Sequence, residues 1–253
     1  MGIPRHILWI AALSAVAAPV LACPEPSEQV LFHSCWGEAE VTSLLLPEDG
    51  PVPAGEARQL VVTGGYTGKD RRLETFPNPV GMFIHRGQVV NPTLARMDGV
   101  AIVDRDGALS IEYRRRVAFA GQTFDLNKLA ARRAFQTAAA EAGASVFQSH
   151  LLIVDGALDI RPIENAPLAL RRLLFTDGAG FGIYQTARPV TLSEAAAEAE
   201  AALAPRMALN LDMGSFDYCI ASLAGVERNC GLLGREDTAK LSNLLLLRLK
   251  PSS

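Results

Sequence analysis

The fold is decided by one stretch, MALNLDMGSFDYC, which occupies residues 207–219. Its first five residues are mostly apolar and predict a short buried strand. An acid, a glycine and a serine follow at once: Asp212, Gly214 and Ser215. Polar groups that follow a strand on a rigid sheet are a common way to build a functional site. The alternative interpretation is that Asp212 and Ser215 only cap a turn or a following helix.

The first residues of the chain predict an export signal. Arg5 and His6 give a positive start, and residues 7–21 form an apolar run that ends just before Cys23. This run is too short for a comfortable membrane span. We therefore expect residues 1–22 to be a cleaved signal peptide and the protein to be periplasmic or secreted, with no stable membrane span. Lipid attachment at Cys23 is the alternative, and it would make the chain a lipoprotein.

Four cysteines in an exported chain predict two disulfides. The local pairs Cys23–Cys35 and Cys219–Cys230 close loops of similar size, and each would stabilise the fold by about 3 kcal/mol on the chain-entropy model. We favour this pairing, although four cysteines allow three connectivities.

The composition excludes a strong electrostatic attraction to nucleic acid, because the formal charge is −3 and the pI is near 5.8. His33, His85 and His150 are dispersed along the chain, and neither cysteine pair has metal-ligand spacing. We therefore predict no metal site and no cofactor from sequence. A metal requirement for activity and the oligomeric state are left open.

Strand signals dominate the chain. One strand is predicted over Arg58–Thr63, directly before Gly64 and Gly65. Pairs of apolar segments also flank short turns, most of them containing glycine, and predict four successive hairpins. The hairpins cover residues 82–90, 100–113, 151–160 and 172–184. The predicted fold class is α+β: a mixed, largely antiparallel sheet built from hairpins, with packed helices, in a single domain.

Two helices interrupt the strands. The first is predicted from about Leu126 to Ala142, with Asp125 as its N-cap. The second begins with a capping box formed by Thr191 and Glu194, and Pro205 ends it. Its many alanines predict close packing on the sheet.

Five short motifs follow one another along the chain. They are TGGYT at residues 63–67, PVGMFI at 79–84, QSHLLIVDG at 148–156, the arginine pair at 171–172 and LDMGS at 211–215. In this order they resemble the motifs of the phosphodiester glycosidase family, typified by the lysosomal uncovering enzyme and its bacterial exported relatives. The resemblance covers about residues 58–248. It implies a glycosidase-like domain over residues 58–253, preceded by an arm and first strand at 23–57.

The resemblance implies an exported hydrolase that cleaves a sugar-1-phosphodiester or a related glycosidic bond in envelope glycans. Its ligand would be a carbohydrate or a sugar phosphodiester. An anionic phosphodiester is bound well by arginine and backbone N–H groups, and departure of a sugar needs a carboxylate. The catalytic residues would be Asp212 and Arg172. The substrate-binding residues would be Arg171, Thr63, Gly64, Gly65, Ser149, His150, Gly214 and Ser215.

Two positions depart from the family pattern. Thr63 replaces the family asparagine, and Met213 replaces the first glycine after the aspartate. A threonine cannot supply the paired donor and acceptor of an amide. These departures support the alternative function, a non-catalytic module on the same fold that binds an anionic glycan or an envelope partner.

Several site residues also have structural interpretations. The arginine pair 171–172 could be an exposed edge-strand charge, His150 a structural histidine, and Gly64–Gly65 a tight loop without a ligand. If the site interpretation holds, we expect the strands at 58–63 and 207–211 to lie close together in one sheet. Gly65 and Asp212 would then meet at one edge of that sheet.

Overall fold

The computed structural model describes residues 23–46, 48–49, 58–68, 77–223 and 225–250. The predicted signal peptide lies outside these residues and stays a prediction. The described chain contains twenty strands and two α-helices. The strands are β1 Val30–His33, β2 Ala39–Leu45, β3 Gln59–Thr63, β4 Thr67–Gly68, β5 Asn78–Pro79, β6 Phe83–His85, β7 Gln88–Asn91, β8 Gly99–Val103, β9 Leu109–Tyr113, β10 Val117–Phe119, β11 Gln122–Phe124, β12 Ser145–Ser149, β13 Leu151–Val154, β14 Ala157–Leu158, β15 Arg172–Thr176, β16 Phe181–Gln185, β17 Met207–Asn210, β18 Cys219–Leu223, β19 Val226–Asn229 and β20 Asn243–Leu249. The helices are α1 Leu129–Glu141 and α2 Leu192–Leu203.

Three larger sheets carry most of these strands. Sheet one has the order β1-β16-β15-β17-β13-β14, sheet two β7-β6-β12-β8-β9, and sheet three β19-β18-β3-β20-β2. The strand pairs within them are antiparallel. The prediction of a largely antiparallel fold in a single small domain is therefore confirmed. The prediction of one sheet is wrong, and the fold is richer in strand than an α+β class implies.

The three sheets share one apolar core. Side chains from all three sheets meet there, because alternate residues of each strand point to the same face. Members of this core are Phe32 and Leu174 of sheet one, Phe83 and Phe147 of sheet two, and Val62 and Leu245 of sheet three. The outer face of each sheet is covered by other parts of the chain. Helix α2 packs on sheet one and α1 on sheet two, while Leu233 and Leu241 pack on sheet three.

The predicted hairpins all form. Residues 86–87 join β6 to β7, and residues 155–156 join β13 to β14. Arg86 and Gly87 have φ of 46° and 86°, and Asp155 and Gly156 have φ of 50° and 81°. Two successive positive φ values are the geometry that two-residue hairpin turns require, which explains the glycine at each second position.

The two helices differ in how well local signals predict them. The capping box of α2 is present as predicted, with the Thr191 N–H donating to Glu194 and the Glu194 N–H donating to Thr191 Oγ1. Helix α1 begins three residues later than predicted. Asp125 is not its N-cap, because its carboxylate accepts from the Asn127 N–H in a turn. Leu126 precedes the helix, and its N–H donates to the carbonyl of Arg114, which follows β9.

The strands at 59–63 and 207–210 do not share a sheet, contrary to the prediction. β3 lies in sheet three and β17 in sheet one. Their ends nevertheless meet, because the N–H of Asp212 donates to the carbonyl of Gly64 at 3.1 Å. The expected juxtaposition therefore occurs between two sheets and not along the edge of one.

Both predicted disulfides form. Cys23 is bonded to Cys35, and Cys219 to Cys230. The first closes a loop around β1, since Cys23 precedes this strand and Cys35 follows it. Neither α-helix of the described chain is long and apolar enough to cross a bilayer.

Candidate functional site

The loop after β17 holds Asp212 against the end of β3. Oδ2 of Asp212 accepts from the Thr67 N–H at 2.8 Å, and the carboxylate also accepts from the Met213 N–H. The close approach explains the two glycines. A Cβ at Gly64 would lie 2.5 Å from Oδ1 of Asn243, and one at Gly65 would lie 3.1 Å from the ring of Phe147. A side chain at position 64 would displace Asn243, and one at position 65 would press on Phe147.

The environment of Asp212 favours the protonated acid. Only 4% of the residue is exposed. Burial raises the pKa of its carboxyl group to about 6, although hydrogen bonds from the Thr67 and Met213 backbone oppose the shift. In the part of the chain that the structure describes, no lysine or arginine forms a salt bridge with this carboxylate. A carboxyl group with this pKa can exchange a proton near neutral pH.

Three further side chains extend the site from Asp212. The amide of Asn210 donates to the Tyr66 hydroxyl at 2.6 Å, and the rings of Tyr66 and His150 meet edge to face with centroids 5.6 Å apart. Asp212 belongs to the same cluster, because its charge acts on the Tyr66 hydroxyl that Asn210 contacts. Oδ1 of Asn210 is buried and has no hydrogen-bond partner among the described residues.

Burial and nearby charges shift the pKa values of Tyr66 and His150. Burial raises the pKa of the Tyr66 hydroxyl, the hydrogen bond from Asn210 lowers it, the charge of Asp212 raises it and that of Arg171 lowers it. Burial lowers the pKa of His150, against the charge of Asp98. His150 is therefore a neutral ring at neutral pH, able to donate one hydrogen bond and accept another.

Arg171 is the cation of this cluster. Its Nε donates to the Val190 carbonyl at 3.1 Å and its Nη2 to the Pro167 carbonyl at 2.7 Å. These contacts fix the guanidinium without neutralising its charge, because both partners are uncharged. Burial lowers the pKa of Arg171, and the neighbouring Tyr66 opposes the shift.

Arg172 has a different environment from the one predicted. It is fully buried, and its Nη1 donates to Asp217 at 2.8 Å. Its Nε and Nη2 donate to Oε1 of Gln185 at 3.1 and 2.5 Å, and further contacts reach the carbonyls of Tyr218 and Cys230. These partners occupy the guanidinium, so we do not retain the predicted role of Arg172 in catalysis and anion binding. It joins sheet one to the loop that carries Asp217.

Thr63 and Ser149 are hydrogen-bonded to the framework of the site. Both are fully buried. Oγ1 of Thr63 donates to the Phe216 carbonyl at 2.5 Å and accepts from the Tyr218 N–H at 3.0 Å. The Ser149 hydroxyl donates to the Asn210 carbonyl in a short hydrogen bond. Their predicted substrate contacts are replaced by bonds that fasten the Asp212 loop and β17.

Gly214 and Ser215 lie on the exposed side of the same loop. Gly214 has φ of 72°, which suits glycine, and no atom lies within 4 Å of its ideal Cβ position. Their backbone and hydroxyl are accessible to a ligand. Met213, the departure from the family pattern, is half-buried between Asp212 and this turn.

The structure thus brings together Asp212, His150, Arg171 and the Gly64–Gly65 turn, and it separates Arg172 from them. Sequence analysis did not include Tyr66 or Asn210 among the site residues. The available signal for Asn210 was its position two residues before Asp212, as the one polar residue in an otherwise apolar predicted strand. Tyr66 follows the two glycines directly, and the neighbours of its hydroxyl depend on contacts 144 residues away.

A groove lies elsewhere, between the N-terminal arm and the β18–β19 hairpin. Its volume is about 720 Å³, and Trp36, Arg58 and Val226 are among the residues that line it. None of the Asp212 cluster lines this groove. The chemistry of the titratable cluster, and not cavity size, therefore identifies the candidate site.

No known protein family matches the sequence, and no curated protein matches it. Among solved structures, the catalytic domain of zebrafish N-acetylglucosamine-1-phosphodiester alpha-N-acetylglucosaminidase, auto-inhibited by its pro-peptide, has a TM-score of 0.48 and 13% identity over 86% of this chain and 74% of that chain. A hypothetical protein from Synechocystis has a TM-score of 0.42 and 12% identity over 84% of this chain and 57% of that chain. Membership of the phosphodiester glycosidase family therefore stays a proposal.

Proposed function

We propose that the protein is an exported hydrolase that cleaves a sugar-1-phosphodiester or a related glycosidic bond, with Asp212 as its proton-transfer group. One observation carries the proposal. Asp212 is a nearly buried carboxyl group without a salt-bridge partner in the described chain, and its pKa is raised to about 6. Glycosidases use a carboxylic acid with a raised pKa to protonate the leaving oxygen.

The neighbouring groups support a sugar phosphodiester as the substrate. Arg171 supplies the positive charge for the phosphodiester, and a guanidinium binds phosphate oxygens well. Tyr66 and His150 offer an aromatic face with polar ends, which suits a sugar ring. Oδ1 of Asn210 is an acceptor that lacks a donor among the described residues, and a hydroxyl of the ligand or a water would satisfy it.

The proposed step is a hydrolysis. Water adds its oxygen to the anomeric carbon, the bond from that carbon to the phosphoester oxygen breaks, and Asp212 delivers a proton to the leaving oxygen. The water proton restores Asp212 after the leaving group departs. Because the acid must be protonated, we expect the rate to fall as the pH rises above the pKa of about 6.

The test is hydrolysis of a UDP-sugar or an aryl phosphodiester of a sugar by the purified mature chain. Asp212→Asn keeps the side-chain shape and removes the proton, so we expect the rate to drop by about 10²–10⁴-fold. Asp106→Asn is the matched control, since Asp106 is an exposed turn residue. Normal turnover by Asp212→Asn would contradict the assignment.

Arg171→Met separates binding from turnover. We expect it to weaken binding of the phosphodiester substrate, while a neutral glycan should be bound as well as before. Wild-type protein that binds the phosphodiester but releases no product would favour the alternative, a non-catalytic module for anionic glycans. The departures at Thr63 and Met213 are the reason to keep that alternative.

A further inference from the structure

A second cluster of reactive side chains lies at the Cys23–Cys35 disulfide. Cys23 is exposed and Cys35 half-buried, while His33 is fully buried. One potential ligand atom from each of Cys23, His33 and Cys35 lies within 4.8 Å of the other two. Two cysteine sulfurs and one imidazole are a donor set that zinc binds in proteins. The spacing of these residues along the chain gives no sign of this arrangement.

The ring of His33 has the orientation that is typical of a metal-binding histidine, with one nitrogen beside a carboxylate and the other toward the ligand cluster. Its Nε2 lies 3.1 Å from Oδ2 of Asp177, and Asp177 is itself almost buried. With the proton on Nε2, the lone pair of Nδ1 points to Cys35, whose N–H donates to it at 3.1 Å. A carboxylate behind the imidazole fixes the tautomer and the ring orientation, which is the usual second partner of a metal-ligating histidine.

The carboxylate is also held firmly. Oδ1 of Asp177 accepts from the N–H groups of Ala179 and Gly180 at 2.7 and 2.8 Å. The ring of Phe175 packs against His33 with centroids 5.6 Å apart. The imidazole therefore has little freedom to turn away from the two sulfurs.

This cluster is separate from the Asp212 site. Arg171 directly precedes β15 and Asp177 directly follows it. A strand of this length places the two clusters roughly 15–20 Å apart, at opposite ends of sheet one. A function of one cluster can therefore be tested without altering the other.

We propose that Cys23, Cys35 and His33 form a redox-gated site for Zn²⁺, closed in the disulfide form and opened by reduction. A dithiol reductant gives two electrons and two protons to the Cys23–Cys35 bond and becomes a disulfide. The two thiols then bind Zn²⁺ as thiolates and release two protons, and Nδ1 of His33 replaces its hydrogen bond from Cys35 with a bond to the metal. A water completes the four ligands.

The movement required is small. After reduction, the two sulfurs must separate to roughly 3.8 Å, the edge of a tetrahedron with Zn–S bonds of about 2.3 Å. Cys23 is exposed and can move to provide this separation, whereas His33 and Asp177 stay in place. The exposure of Cys23 also gives both the reductant and the metal a route to the site.

The experiment uses Co²⁺ as a spectroscopic substitute for Zn²⁺. The mature protein is reduced with a phosphine, and alkylation with mass measurement selects conditions that free two thiols and leave Cys219–Cys230 bonded. We expect one Co²⁺ per chain with a thiolate-to-cobalt absorption band, and displacement of Co²⁺ by Zn²⁺. The oxidised protein should show no band. Circular dichroism reports whether the reduced chain stays folded.

The variants distinguish a specific metal site from nonspecific binding of Co²⁺ by free thiols. Cys23→Ser should lose the two-sulfur spectrum. Asp177→Asn keeps an oxygen for the Ala179 and Gly180 N–H groups and should weaken Co²⁺ binding by about 10–100-fold, while Asp106→Asn should not change it. The proposal is overturned if the reduced wild type binds no Co²⁺ or unfolds, or if Asp177→Asn binds as tightly as the wild type.

Discussion

Two carboxylates on the loop after β17, Asp212 and Asp217, are only five residues apart and are both almost buried, with 4% and 2% exposure. Asp217 accepts from the guanidinium of Arg172 at 2.8 Å. Asp212 accepts from backbone N–H groups of Thr67 and Met213. Equal burial therefore has opposite consequences. Asp217 pairs with a buried guanidinium and joins two parts of the fold, whereas burial among neutral donors raises the pKa of Asp212, which can then take up a proton.

The largest effect should come from breaking the Asp217–Arg172 pair. Asp217→Asn leaves the buried guanidinium of Arg172 without a counter-charge, and we expect the free energy of unfolding to fall by about 3–5 kcal/mol. Urea unfolding at neutral pH measures it. Replacing both partners, as in Asp217→Asn with Arg172→Met, should restore part of the loss. A cost below about 1 kcal/mol for the single variant would contradict the structural role.

The intermediate effect concerns Asp212 and depends on pH. Its pKa is raised from 3.8 to about 6 in the fold, which corresponds to about 3 kcal/mol. The native state binds the proton more tightly than the unfolded state. The stabilisation is therefore complete below about pH 4 and is lost as the pH rises to about 6. Asp212→Asn should remove this dependence.

The measurement is a set of urea unfolding curves for wild type and Asp212→Asn between pH 3 and 8. Other groups titrate equally in both proteins, so the difference between the two curves isolates Asp212. We expect Asp212→Asn to gain stability relative to wild type across the interval in which Asp212 ionises. Two parallel curves would show that folding leaves the pKa of Asp212 unchanged and would contradict the prediction.

The smallest effect on stability should come from weakening the hydrogen bonds that hold the loop carrying both carboxylates. Thr63→Val removes a hydroxyl that bonds the Phe216 carbonyl and the Tyr218 N–H, and we expect a loss of about 1–2 kcal/mol. Thr63→Ser keeps the hydroxyl and should recover most of this loss. Thermal unfolding of the two variants gives the comparison. If valine were as stable as serine, the Thr63 bonds would not fasten the loop.

Local patterns predicted most of the secondary structure. The capping box of Thr191 and Glu194 and the turn glycines Gly87 and Gly156 act within a few residues, so their effect can be recognised in the sequence. The start of α1 was misplaced because Asp125 caps a turn as readily as a helix. Which strands share a sheet depends on contacts across the chain, and the single predicted sheet was therefore wrong.

In the candidate site, too, features set by nearby residues could be predicted and features set by distant contacts could not. Asp212 could be selected because it follows a buried strand, and Gly65 was expected to lie near it; the observed hydrogen bond comes to the neighbouring Gly64. The role of Arg172 could not be predicted, since its partner Asp217 lies 45 residues away. Positions 171 and 172 are both arginine, so residue type does not distinguish them. Only the folded structure shows which of the two guanidinium groups forms a salt bridge with Asp217.

The position of β20 has a consequence for how the chain folds. This last strand lies between β2 and β3 and pairs with both, so that Leu247 stands opposite Val41. Sheet three therefore cannot join β2 to β3 until β20, which comes far later in the sequence, has taken its place between them. Contacts between such distant residues form slowly, because a long loop must close first. The apolar core that all three sheets share therefore depends on the pairing of β20, because Leu245 and Leu247 of this strand belong to it.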